Sequence, residues 1–255
     1  ERLRPKRNVN FHREIQNYLN RIQHRDLVYP EEWGAIQTPQ GRAWLLEVWG
    51  AFLNRVGIQY VAPFQLDCFE TLLDSALLAD GNPNPVMITA GTGFGKTEAF
   101  LFPILFYSTI NLLRQSHFGY GPDALLLYPR IDLCNNQLER YVKYAYHLQE
   151  SVKASAATSQ ILGYSNDEMF RAALGHSGAN ADGPDPFKII CPICDHAGQV
   201  GEIRLRPSGQ YDKEPFCTAN DEHNVNRLLF PSLKKRARFN VSISTVDTLH
   251  NRLKD

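Results

Sequence analysis

The 255-residue chain lacks a long hydrophobic run, and it has only five cysteines. A membrane-spanning helix needs about 20 consecutive apolar residues, and no stretch approaches that length, so we expect no membrane partner. The charged, polar start is unlike a secretory signal peptide. Five is an odd count, and two of the cysteines form a C-x-x-C pair. This usage favours a reducing, cytoplasmic compartment over a disulfide framework.

The chain also lacks an excess of charge of either sign, since 27 basic residues balance 27 acidic ones. Zero net charge gives no global argument for a nucleic-acid partner, although a local basic face is still compatible with one. Internal repeats and low-complexity tracts are absent too, and a 43% apolar fraction is that of an ordinary globular protein. A chain of this length forms one or two domains.

The most informative pattern is Ala-Gly-Thr-Gly-Phe-Gly-Lys-Thr at residues 90–97, between an apolar run and a helix-like segment. Strand, glycine-rich loop and helix is the context of a phosphate-binding loop. We expect Lys96 to reach the β- and γ-phosphates of ATP and the Thr97 hydroxyl to bind Mg²⁺, both in catalytic roles. The alternative is an ordinary glycine-rich turn. The predicted nucleotide contacts in this segment are Ala90, Gly91, Thr92, Gly93, Phe94, Gly95, Lys96, Thr97 and Glu98.

Hydrophobic periodicity predicts helices and strands in alternation. Residues 1–58 form a helical N-terminal region, with one apolar stripe from Phe11 to Ile22 and another from Trp44 to Leu53. Further helices are predicted at Phe69–Leu77, Thr97–Leu113, 131–151, Asp167–Leu174 and Val246–Leu253. Pro103 should kink the second of these helices or shift its register. Strands are predicted at Val86–Ala90, Ala124–Tyr128 (buried), Gln160–Tyr164, Phe187–Ile190, Val200–Leu205 and Val241–Thr245. This alternation favours an α/β fold with a parallel sheet.

Three further motifs have two interpretations each. Gln65 begins a helix, and its amide could read an adenine edge or simply lie on the surface. Residues 128–137 lead from a strand into a helix whose start could bind phosphate, or they form a plain strand–helix junction. Thr245 could contact a backbone phosphate, while Asp247 stands where it would cap the next helix.

Taken in order, these motifs resemble the first RecA-like domain of superfamily-two helicases and translocases. Residues 90–97 match its motif I, A-x-T-G-x-G-K-T, and Gln65 stands where its adenine-reading glutamine stands. Residues 128–137 match motif Ia, and residues 245–250 match the later Thr-x-Pro-Asp-x-Leu-His motif except at Val246. These forms are similar to large helicases with a C-terminal cysteine-rich zinc domain, a set that includes DNA-repair enzymes and phage-defence enzymes of the DISARM type.

The resemblance implies a RecA-like ATP-binding domain over 59–255 that is incomplete at its C-terminus. Its catalytic Asp-Glu-x-His box should follow residue 250, and we expect a second RecA-like domain and a C-terminal region as partners. The triplet Asp221-Glu222-His223 is rejected as that box because Cys217-Thr-Ala-Asn, and not an apolar strand, directly precedes it, and because it comes too early in the order of the motifs. A fragment without the box should hydrolyse ATP poorly. The implied strand is single-stranded DNA, with RNA as the alternative, bound by Pro129, Arg130, Asn136, Gln137, Thr245 and Asp247.

A second site is predicted from the cysteines. Cys191 and Cys194 form a knuckle-like turn, and Cys217 and His223 complete a Cys₃His set that suits a structural Zn²⁺ ion. His196 is a competing fourth ligand, and unliganded thiols in a loop are the alternative to a metal site. We expect residues 187–231 to form a small zinc-ribbon-like insertion.

The leading interpretation is a DNA helicase or translocase motor domain acting in phage defence or repair, with protein partners from such a complex. The first alternative is a nucleotide kinase or a non-translocating ATPase. The second is a binding module in which hydrolysis is irrelevant and the ribbon docks a partner protein.

Overall fold

The fold is taken from a computed structural model of the chain. It describes residues 8–81, 85–89, 95–113, 123–128, 131–162, 170, 172–174, 188–206, 214–225, 228–230 and 241–245. Contacts between Cα atoms divide the chain into two compact units. The first unit comprises Glu1–His117 and Glu150–Ser165, and the second comprises Phe118–Gln149 and Asn166–Asp255. The predicted boundary at residue 58 stays a prediction.

The first unit is mainly helical. Its elements are β1 (Val9–Asn10), α1 (Phe11–Ile22), α2 (Pro30–Trp33), a 3-10 helix (Gly34–Gln37), α3 (Pro39–Val56), β2 (Tyr60–Val61), α4 (Pro63–Leu77), α5 (Lys96–Leu112) and α7 (Thr158–Leu162). Strands β1 and β2 pair in antiparallel fashion. Local sequence sets the helix starts: the Asn10 side chain caps α1 by accepting from the backbone N–H of Arg13, and Thr38 caps α3 in the same way.

The N-terminal helices bury the stripes that periodicity predicted, and these stripes meet α4 and α5. Phe11 of α1 lies with its ring centroid 5.1 Å from that of Phe69 in α4 and 5.4 Å from that of Phe102 in α5. Trp49 of α3 lies 5.0 Å from Phe106 and donates from Nε1 to the hydroxyl of Thr109 at 3.2 Å. The N-terminal region therefore shares one aromatic core with the two helices that carry Gln65 and Lys96.

The second unit contains the parallel sheet. Strands β3 (Ala124–Tyr128), β4 (Ala172–Leu174), β8 (Leu229–Phe230) and β9 (Val241–Thr245) lie in the order β3-β9-β4-β8, and each neighbouring pair is parallel. Helix α6 (Ile131–Ala154) follows β3, and its last residues from Glu150 onward belong to the first unit. The α/β class with a parallel sheet is confirmed.

A smaller antiparallel sheet also belongs to the second unit, and together with its helix and the segment from Cys217 to His223 it is here called the ribbon. Its elements are β5 (Ile189–Ile190), α8 (Pro192–His196), β6 (Glu202–Arg206) and β7 (Glu214–Cys217), with sheet order β5-β6-β7. Its two cysteine-bearing segments, the turn into α8 and the end of β7, come together because Cys217 pairs with Ile203 in the centre of the sheet.

Three local predictions are wrong. Residues 86–89 of the strand predicted at Val86–Ala90 form no helix or strand, and Met87 is 86% exposed. An apolar run predicts burial, but a strand needs a hydrogen-bonded neighbour, and no described strand pairs with this segment. Residues 160–162 form the end of α7 rather than a strand, because Ile161 donates to the carbonyl of Ala157. Residues 172–174 form β4 rather than a helix, because parallel pairing with β8 and β9 overrides local preference.

Other predictions need smaller adjustments. The helix at α5 continues through Pro103. Leu125 and Leu127 of β3 are 50% and 46% exposed, so this strand is not buried on both faces as predicted. On α6, Leu138 and Val142 are buried, whereas Leu133 is 40% exposed. The helix predicted at Val246–Leu253 lies outside the described residues. Within the described part of the chain, no helix has the length and apolar character that crossing a bilayer requires.

Candidate functional site

One side chain joins two segments of the predicted nucleotide site. Gln65, the third residue of α4, donates from Nε2 to the carbonyl oxygen of Gly95 at 2.8 Å. Its Oε1 accepts from the backbone N–H of Ala62 at 2.8 Å, which satisfies an otherwise unpaired donor at the helix start. The amide has a second N–H and a second lone pair, so these bonds are compatible with adenine recognition, which stays a prediction.

Gly95 has the backbone conformation that a phosphate-binding loop needs before its helix. Its φ is +75°, in the left-handed region, and an added Cβ would lie 2.5 Å from Nε2 of Gln65. Lys96 is exposed, and Thr97 and Glu98 are half-buried in the first turn of α5. The N–H groups of such a first turn favour anions. The predicted residues Ala90, Gly91, Thr92, Gly93 and Phe94 lie outside the described residues.

The two motifs predicted to bind nucleic acid meet at one edge of the parallel sheet. Tyr128, the last residue of β3, pairs in register with Thr245, the last residue of β9. Asn136 is exposed and Gln137 is half-buried on α6, the helix that follows β3. The side-chain oxygen of Gln137 is buried and accepts no hydrogen bond from the described residues. Pro129, Arg130 and Asp247 lie outside the part of the chain that the structure describes.

Two residues beside this edge, Tyr128 and Cys134, are shielded from solvent. Burial raises the pKa of the Tyr128 hydroxyl well above its usual value, with a smaller contribution from Cys134. Burial also raises the pKa of the Cys134 thiol to about 11, so this group stays a protonated, unreactive thiol at neutral pH. Cys134 is 2% exposed, whereas Cys68 on α4 is half-buried.

The ribbon assembles the four residues predicted to bind zinc. The ligand atoms of Cys191, Cys194, Cys217 and His223 all lie within 4.8 Å of one another. The Sγ of Cys194 is 3.5 Å from the Sγ of Cys217 and 3.4 Å from Nδ1 of His223. Tetrahedral zinc with Zn–S bonds of about 2.3 Å places sulfur atoms about 3.8 Å apart. The donor set and its spacing therefore fit a structural zinc ion.

The competing ligand His196 lies elsewhere. It ends α8, is exposed, and its ring centroid is 5.6 Å from that of His147 and 6.1 Å from that of Tyr146. His196 is therefore not part of the cluster, whose fourth member is His223.

The surroundings of the cysteines differ in their effect on thiolate formation. Burial raises the pKa of Cys194 to about 12. Burial acts in the same direction on Cys217, but hydrogen bonds from the backbone N–H groups of Ala219 and Asn220, together with those to His223 and Cys194, lower that pKa to about 7. Sequence reasoning missed Gly201, where an added Cβ would lie 2.4 Å from the Sγ of Cys194. A glycine shortly after a C-x-x-C turn was the available signal.

The five cysteines all fall within described segments, and all are free thiols.

Comparison with known proteins shows which family part of the chain resembles. Residues 62–176 match the DEAD/DEAH box helicase family. Among curated proteins, the ATP-dependent rRNA helicase SPB4 of Chaetomium globosum is 36% identical over 76 residues, which is 30% of this chain and 10% of that protein. The matched part thus spans a tenth of this relative's length. The search of solved structures found no match. The match over residues 62–176 is consistent with the first RecA-like domain of a superfamily-two helicase.

Proposed function

We propose that the chain is the ATP-binding motor domain of a DNA helicase or translocase, which couples ATP hydrolysis to movement on single-stranded DNA. The helicase domain implies ATP and Mg²⁺ as ligands. We assign Lys96 to the β- and γ-phosphates and Thr97 to the magnesium ion, with the N–H groups of the α5 start facing the phosphates. Gln65 holds the Gly95 carbonyl and thereby fixes the backbone from which Lys96 projects.

The observation that carries the nucleic-acid assignment is the pairing of Tyr128 with Thr245. In parallel sheets, ligands bind outside the carboxyl ends of the strands, and these two residues end neighbouring strands. The proposed nucleic-acid contacts Pro129, Arg130 and Asp247 follow these two strand ends in sequence, and Asn136 and Gln137 lie on α6. The helix-start N–H groups, the Thr245 hydroxyl and the side-chain amides can donate to the sugar–phosphate backbone, so we propose binding without sequence preference.

The choice of DNA rests on the resemblance to DNA-repair and phage-defence helicases. The curated relative is named an rRNA helicase, which makes RNA the alternative strand. We propose as partners the second RecA-like domain, a C-terminal region and proteins of a defence or repair complex in the cytoplasm.

We also propose that Cys191, Cys194, Cys217 and His223 bind a structural Zn²⁺ ion. The support is the approach of four donor atoms of the right chemistry in a ribbon with little core of its own. Three ligands are almost fully buried and the fourth is half-buried. A closed set of four protein ligands is typical of structural rather than catalytic zinc sites.

The decisive experiment measures ATP hydrolysis by the full-length protein alone, with single-stranded DNA and with single-stranded RNA of the same base order. We expect DNA to stimulate hydrolysis, and Asn136→Ala to reduce that stimulation while basal hydrolysis is unchanged. Preferential stimulation by RNA would show that the strand assignment is wrong. Hydrolysis that neither strand stimulates would favour a kinase or non-translocating ATPase, and absence of hydrolysis would favour a binding module.

A further inference from the structure

Among the residues that the structure describes, three contacts join the ribbon to helix α6, all within the second unit. The carboxylate of Glu139 accepts from the backbone N–H of Ile190 at 3.1 Å. Nζ of Lys143 lies 2.7 Å from a carboxylate oxygen of Asp195. The rings of Tyr146 and His147 lie against that of His196.

Every ribbon residue in these contacts is next to a cysteine of the metal cluster. Ile190 directly precedes Cys191, and Asp195 and His196 directly follow Cys194. The turn between the two cysteines is short and internally bonded, since Asp195 donates its backbone N–H to the carbonyl of Cys191 at 2.9 Å. The fold of this turn thus sets the positions of all three contacts.

On α6 the contacts form one stripe that also includes a proposed nucleic-acid residue. Asn136, Glu139 and Lys143 are spaced by three and four residues, so they lie along one side of the helix. The ribbon contacts begin only one turn from Asn136. A change in the contacts between the ribbon and α6 therefore also affects the position of the helical turn that carries the proposed phosphate contacts.

We propose that the metal-bound ribbon fixes the position of α6, so that metal occupancy sets the affinity for single-stranded nucleic acid. The inference rests on the proposed function. Lys143 and Asp195 are positioning residues: they act by holding α6 and not by touching the strand. Metal binding folds the cysteine turn, the turn presents Asp195 and the Ile190 N–H, and these fix the helix beside the sheet edge.

The test uses zinc-loaded full-length protein and a fluorescent single-stranded DNA oligonucleotide, with binding followed by anisotropy. Lys143→Glu and Asp195→Lys each replace the ion pair by like charges, and each is expected to weaken binding about two- to fivefold. The double variant restores the pair in reverse and should return affinity close to the native value. Lys153→Glu makes the same charge change on α6 at an ion pair with Glu150 that does not involve the ribbon, and it controls for altered net charge.

Zinc removal by a chelator should weaken binding about tenfold or more, while the affinity for a fluorescent ATP analogue stays unchanged. Zinc content and thermal unfolding of each variant establish that the charge changes leave metal and fold intact. One result would contradict the role of the ribbon and leave the proposed function standing. In that result Asn136→Ala weakens oligonucleotide binding, the charge variants bind with the same affinity as Lys153→Glu, and chelation leaves the affinity unchanged. If the native zinc-loaded protein does not bind the oligonucleotide, both fall together.

Discussion

The side-chain amide of Gln65 is hydrogen-bonded at both ends, to the carbonyl of Gly95 and to the backbone N–H of Ala62. One residue thus ties the start of α4 to the residue directly before Lys96. Gly95 lies so close to this amide that only a hydrogen atom fits in the place of a side chain. The geometry of the proposed phosphate-binding lysine therefore depends on two residues that do not themselves carry charge.

Replacing Gln65 by Glu should weaken nucleotide binding. The carboxylate can still accept from Ala62, but it has no N–H to donate and would place negative charge against the Gly95 carbonyl. We expect the Kd for a fluorescent ATP analogue to rise about tenfold, or about 1.4 kcal/mol. Lys96→Ala, which removes the proposed phosphate contact, should abolish tight nucleotide binding, and the effect of Gln65→Glu is compared with that loss. Gln16→Ala, on an exposed part of α1, is the control.

Replacing Gly95 by Ala should abolish nucleotide binding for two separable reasons. A left-handed φ costs a residue with a Cβ about 1–2 kcal/mol, and the new Cβ would also displace the Gln65 amide. Gly57 is the matched control, because its φ is +70° and an added Cβ meets nothing within 4 Å. Gly57→Ala should lower the free energy of unfolding by a similar amount without changing nucleotide affinity. Equal affinities for the two variants would show that the contact between Gly95 and Gln65 is unimportant.

The helices of the first unit were the most predictable part of the chain. Phe11, Ile15 and Tyr18 repeat at helical spacing, and all are buried as that spacing predicts. What the sequence did not predict is their partner. Periodicity identifies a buried face but not what covers it, so the packing of Phe11 against Phe102 had to come from the structure.

Short strands were the least predictable part. Residues 172–174 were predicted as the end of a helix, yet they pair with two parallel strands, one of them about seventy residues further along the chain. Such pairing is decided by neighbours that local sequence does not contain. The proposed metal ligands were easier to identify, because a C-x-x-C turn and a later cysteine and histidine are visible without knowing the pairing. Even so, the choice of His223 over His196 required the geometry.

The contribution of the N-terminal helices to the core can be measured at two adjacent residues of α5. Thr109 accepts from Nε1 of the buried Trp49, so Thr109→Val leaves that donor without a partner. We expect a loss of about 1–3 kcal/mol in the free energy of unfolding, measured by urea titration. Ser108 is equally buried, and its hydroxyl has no partner among the described residues, so Ser108→Ala should be nearly neutral. Equal losses would mean that the indole bond contributes nothing.

The proposed zinc site makes a sharp distinction between two histidines of the ribbon. His223→Ala should strip metal from the purified protein, because its Nδ1 lies among the three thiols. His196→Ala should retain a full equivalent of zinc by elemental analysis, since that ring packs on α6 residues instead. His223→Cys offers a fourth thiolate in the same place and should restore binding, as Cys₄ and Cys₃His sites are both stable. Cys68→Ser, outside the ribbon, controls for loss of a thiol as such. Native protein without zinc, or equal loss from both histidine variants, would refute the assignment.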